Sequence, residues 1–175
     1  MQKIIFGLVI MIFSAASMAQ EVKPYSVVST VKAGGLGGYD YAYADQAGRR
    51  LYIPRTGTEA RVSIFDLDTL ALVKEIPNIS AMGAAVSTKS GHGFATSNPV
   101  AMWDSKTLAP IKTIQIEGKP DGILYDAFND RVYIFGHTAP EATIINANDG
   151  TIIGTLDLGG AAEQAVTDGA GHIYV

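Results

Sequence analysis

The chain has 175 residues, 17% of them charged, with 19 glycines, no cysteine and a formal net charge of −4. Mild acidity offers no concentrated basic surface for a phosphate backbone, which argues against nucleic acid as a partner. Lack of cysteine excludes disulfides, thiol nucleophiles and covalent haem attachment through Cys-x-x-Cys-His. Few charges and many glycines fit short strands joined by tight turns better than long exposed helices.

In chain order, the first segment reads as an export signal. Lys3 precedes the apolar run Ile4–Phe13, and "SAASMAQ" over Ser14–Gln20 supplies small residues, with Ser17 at −3 and Ala19 at −1. The order positive end, apolar core, small-residue site predicts a signal peptide over residues 1–19, cleaved before Gln20. The apolar run is short for a membrane span. The expected location is the periplasm, or the secreted or cell-surface space, with no membrane insertion after cleavage.

Residues 20–38 follow as a closing strand and a glycine-rich connection. "VVSTV" at 27–31 aligns with "LVKEI" at 72–76, "PIKTI" at 110–114 and "IIGTL" at 152–156, each of which ends a repeated unit. It reads as an outer strand without a blade of its own. "GGLGGY" at 34–39 resembles a phosphate loop only in glycine content, because the Lys-Ser/Thr ending is missing. It is expected to be a flexible passage into the first unit.

From residue 39 the chain repeats itself in units 39–80, 81–119, 120–161 and 162–175. An aromatic recurs at Tyr52, Phe94, Tyr133 and Tyr174, and a polar turn residue at Asp45, Ser87, Asp126 and Asp168. A third landmark is the pair Phe65-Asp66, Trp103-Asp104 and Ile145-Asn146. Each unit divides into four short alternating strands. In the third these are expected near Ile123–Tyr125, Arg131–Phe135, Ala142–Ile145 and Thr151–Leu156. Turns such as "DLDTL", "DSKTL" and "NANDG" place Asp or Asn where the side chain bonds nearby backbone amides. No sustained 3.6-residue apolar period is present, so helices should be few.

Units of about forty residues with four antiparallel strands predict an all-β fold, a β-propeller of four-stranded blades. A blade buries both faces only against neighbours, so Tyr52, Phe65, Phe94 and Trp103 are expected to pack between blades. Closed rings hold about four to eight blades. The expectation is therefore a propeller truncated after about three and a half blades, with more units downstream.

"GKPDGILYDAFNDRVYIFG", "DGTIIGTLDLGG" and "AVTDGAGHIYV" resemble the YVTN β-propeller repeat family of secreted bacterial proteins. The shared features are a Pro-Asp-Gly entry, an Asp-x-x-Gly turn, an Ile/Val-Tyr-Val strand and an Asp-x-x-Thr hairpin. The resemblance implies roughly seven blades in the intact protein and a location in the periplasm or at the cell surface. It implies a scaffold rather than a particular reaction.

Propeller ligands usually sit in the central channel. Five residues before the turn landmarks stand Asp40, Met82, Asp121 and Glu163. Three of these are acidic, which suggests an electronegative channel mouth that attracts cations or a basic ligand. The more conservative reading has the carboxylates capping backbone amides at the strand entrance. Two functions follow. One is a secreted binding or scaffold propeller for a protein, peptide or envelope component, with no catalytic residues and no cofactor. The alternative is a calcium-assisted hydrolase of a lactone or small ester, with Asp40, Asp121 and Glu163 as metal ligands. His92 and His172 share one turn position and His137 lies in a loop after a second strand. All three are expected to face solvent, away from metal-binding spacing.

Overall fold

A computed structural model of the protein describes residues 25–175. The expected signal peptide lies outside the described residues. The described residues fall in two units, 25–30 and Val31–Val175. Residues 25–30 are exposed and carry no strand.

The second unit is all-β, and among the described residues there is no helix. Blade 1 comprises β1 (Tyr43–Asp45), β2 (Arg50–Arg55), β3 (Arg61–Asp66) and β4 (Leu72–Pro77). Blade 2 comprises β5 (Ala84–Val86), β6 (His92–Ala95), β7 (Val100–Asp104) and β8 (Pro110–Ile114). Blade 3 comprises β9 (Pro120–Asp126), β10 (Arg131–Gly136), β11 (Ala142–Asn146) and β12 (Ile152–Leu156). Beyond it, β13 (Val166–Thr167) pairs with β14 (Ile173–Tyr174). Each four-stranded sheet is an antiparallel meander in chain order.

Repetition extends to register. Tyr52 faces Ile64, Phe94 faces Met102 and Tyr133 faces Ile144 across the second and third strands. The ladder between third and fourth strands shifts at one equivalent place in every blade, at Ile64/Phe65, Met102/Trp103 and Ile144/Ile145. Next to this bulge the hairpin needs a left-handed residue, supplied by Leu70 (φ 58°), Leu108 (φ 58°) and Gly150 (φ 70°). The first strand of blade 3 starts at Pro120, earlier than the sequence predicts. It pairs as far as Gly136 through a bulge between Ile134 and Gly136.

The hydrophobic core lies between blades. Tyr52, Val62 and Ile64 of blade 1 pack on Ala84, Ala95 and Trp103 of blade 2. Phe94, Val100 and Met102 of blade 2 pack on Val132, Ile134 and Ile145 of blade 3. Tyr133, Phe135 and Ile144 pack on Ala162 and Ala165 of the following segment. Central strands are therefore buried on both faces, whereas the outer strands β4, β8 and β12 are largely exposed. Trp103 is 1% exposed and packs on Tyr52 with ring centroids 5.9 Å apart and the ring planes tilted by 38°. Its cross-strand partner is Gly93, where any Cβ would fall 2.1 Å from the indole. The glycine makes room for the ring.

Residues 27–31, expected to be the outer strand of a blade other than these three, carry no strand; the third strands β3, β7 and β11 are paired with their own β4, β8 and β12. The glycine-rich stretch is tied down rather than free: Arg55 donates to the carbonyls of Gly34 and Gly37, and Thr56 N–H donates to Gly38. Leu36 N–H donates to Glu59.

Candidate functional site

Antiparallel pairing explains how polar groups gather at the entrance of the first strands. Gly136 at the end of β10 pairs with Pro120 at the start of β9. The residue leaving β10, His137, therefore emerges beside the residue entering β9, Asp121. Two glycines allow the close approach. A Cβ at Gly136 would lie 2.5 Å from the Lys119 carbonyl oxygen. At Gly122 it would lie 1.7 Å from the carbonyl oxygen of Glu163. Ala162 N–H donates to the Gly136 carbonyl at 3.2 Å and holds the 161–165 segment against blade 3.

The result is a cluster centred on one imidazole. His137 Nε2 lies 2.6 Å from Glu163 Oε1 and 3.1 Å from Asp121 Oδ2. The ligand atoms of Asp121, His137 and Glu163 all fall within 4.8 Å of one another. Tyr41 O–H donates to the other Glu163 oxygen, Oε2, at 3.0 Å. The segment bearing Tyr41 is fixed by a backbone bond from its N–H to the Met82 carbonyl, at 2.9 Å.

Electrostatics follow from this crowding. Burial pushes the Asp121 carboxyl above its ordinary range; the charges of Glu163 and Asp40 add to the shift, while His137 and Lys119 oppose it. Asp121 is 8% exposed and its Oδ1 is buried with no hydrogen-bond partner. The Tyr41 hydroxyl is pushed up to about 12, by desolvation first and then by its bond to Glu163. The site is thus rich in acceptors and poor in donors, a composition suited to a cation.

Of the four positions singled out in the sequence, Asp121 and Glu163 come together. Asp40 is exposed and stands outside the three-residue cluster, although its charge is felt at Tyr41 and Asp121. Met82 contributes only its carbonyl. His137 is exposed in its loop, as expected, but its ring lies between two carboxylates, which the sequence reading did not foresee. Neither His137 nor Tyr41 belongs to a recurring position. The available signal was the antiparallel register, which brings the exit of β10 beside the entrance of β9.

The other histidines differ in role. His92 Nδ1–H donates across the blade interface to the Ala147 carbonyl at 2.9 Å. Arg50, its equivalent in blade 1, donates likewise to Ser105 and Lys106 of blade 2. His172 bonds to Asp168 within its own turn at 2.8 Å. A wider depression of about 670 Å³ lies elsewhere, around Gly34, Glu59, Arg61 and Glu75. There Arg61 already pairs with both glutamates. The donor chemistry, not the volume, locates the candidate site.

Neither a scan of protein families nor a search of curated proteins returns a match to this sequence. Similar solved structures include hydrazine synthase of Kuenenia stuttgartiensis, with a TM-score of 0.64 and 13% identity over 78% of this chain and 42% of that one. The WD40 β-propeller domain of Doa1 aligns with a TM-score of 0.57 and 16% identity, over 74% of this chain and 44% of that one. The WD40 repeats of RRP9 give 0.57 and 11%, over 67% and 38%. The chain thus spans less than half the length of these structures, and at such identity the likeness speaks to fold alone. The described chain is a stretch of β-propeller built from four-stranded antiparallel blades.

Proposed function

We propose that this chain belongs to a secreted β-propeller binding protein of the bacterial envelope, of the YVTN repeat type. It takes a protein, peptide or envelope component that presents positive charge to the strand-entrance cluster. Secretion rests on the Lys3–Gln20 signal pattern, and the repeat type on the motifs of the third and fourth units. Among the described residues no helix is long and apolar enough to cross a membrane.

One observation carries the binding site: Asp121, His137 and Glu163 converge from three chain segments with more acceptors than donors. Capping alone does not account for this. Asp45, Asp126 and Asp168 do bond backbone amides of their turns, whereas neither Asp121 nor Glu163 bonds a backbone N–H among the described contacts.

The test is affinity capture from envelope extract with the full mature protein, wild type against D121N/E163Q. A reproducible partner that is lost with the double substitution is the expected result. Absence of any partner, or capture indifferent to the substitution, overturns the reading.

A further inference from the structure

We propose that Asp121, His137 and Glu163 form a site for one divalent transition-metal ion of the zinc class. This deepens the reading of the cluster as the ligand site, and rests on it.

Three features of the geometry point this way. First, one ring nitrogen faces two carboxylate oxygens, at 2.6 and 3.1 Å. A single Nε2–H shared between them leaves both acceptors underserved; a cation at their centre takes a lone pair from each of the three. Second, Asp121 Oδ1 is buried and unpartnered on a residue 8% exposed, so the carboxylate has coordinating capacity that no protein donor uses. Third, the backbone is shaped for the approach. Gly122 admits the Glu163 segment and Gly136 admits Lys119, both at separations that a Cβ would forbid.

The donor set selects the metal. Imidazole with two carboxylates suits zinc and its neighbours, whereas calcium prefers six to eight oxygens. Tetrahedral ligands about 2.1 Å from a metal lie ~3.4 Å from one another. The three atoms are within 4.8 Å of one another. Nε2 is nearer than the tetrahedral separation to both oxygens, at 2.6 and 3.1 Å, so the imidazole must draw back by less than about an ångström to admit the ion. Tyr41 holds Glu163 Oε2 and leaves Oε1 for the ion, an outer contact of the kind that orients metal ligands. Three protein ligands leave a fourth position on the side of Glu163, whose side chain is 62% exposed. A water molecule can complete the coordination there.

The experiment is equilibrium dialysis of the full mature protein, stripped with chelator, against Zn²⁺ and separately against Ca²⁺. The variants are H137A, E163Q and the control H172A. One Zn²⁺ per chain is expected, with Ca²⁺ bound far more weakly. H137A and E163Q should each weaken Zn²⁺ by more than the roughly 10–100-fold typical of losing an outer contact; H172A should leave it unchanged. E163Q alters an exposed side chain, so a folding defect does not obscure the result. No Zn²⁺ binding by the wild type, or binding insensitive to H137A and E163Q, overturns the site. That outcome is distinct from failure of the binding function: a partner captured without metal leaves the function standing, and Zn²⁺ bound without any partner leaves only the metal site.

Discussion

Gly122 shows how one residue without a side chain sets the chemistry of its neighbours. Its hydrogen faces the Glu163 carbonyl where a methyl group would lie 1.7 Å away. Gly122→Ala must therefore push the 161–165 segment off β9 and draw Glu163 away from His137. Overpacking of this kind typically costs about 1–3 kcal/mol. The expected outcome in thermal melts is a lower Tm, together with weakened capture of the partner by the full protein. A melt and a capture both equal to wild type would show that the segment yields freely. Gly122 is visible in the sequence as part of Pro-Asp-Gly, but its role is not. The clash partner lies in the next repeat, and nothing local marks the approach. The same holds for His137 and Tyr41, which meet Glu163 across 26 and 122 residues.

Elements were more legible because their causes are local. Asp66 and Asp104 end their third strands and accept bonds from the N–H and O–H of Thr69 and Thr107, respectively, as the "DLDTL" and "DSKTL" strings suggested. These bonds hold both carboxyls below their ordinary value, with the Thr backbone amide the largest cause in each. A carboxyl whose folded pKa is depressed stabilises the fold above its unfolded pKa, about 3.9. That contribution disappears as pH falls through the folded value. D104A is therefore expected to lower Tm by a few degrees at pH 7. The gap to wild type should narrow progressively below about pH 4. Melting curves of both proteins between pH 7 and pH 2.5 check this; a gap independent of pH would mean that the turn is held by its backbone geometry alone. The expected strand at 27–31 has no open third-strand edge to pair with among blades 1 to 3. Apolar alternation there matches β4, β8 and β12, but a strand also requires a partner edge, which no local pattern reveals.

At the scale of the molecule, stability and site share one origin in the packing of blade on blade. Tyr52 against Trp103, Phe94 against Val132, and Tyr133 against Ala162 repeat the same burial three times. Polar contacts cross the same seams: Arg50 reaches Ser105, His92 reaches Ala147, and Thr167 O–H donates to Asp126 at 2.9 Å. The forty-residue period disclosed this architecture because each blade repeats its pattern and must bury both faces. The site was only half disclosed. Asp121 and Glu163 stand at a recurring position, whereas the imidazole between them depends on how adjacent blades meet. The most direct test is anomalous scattering at the zinc edge from crystals of the full protein grown with Zn²⁺. The expected result is a single strong peak about 2.0–2.2 Å from His137 Nε2 and from carboxylate oxygens of Asp121 and Glu163. A map with no peak at that position, whether peaks occur elsewhere or not, would contradict it.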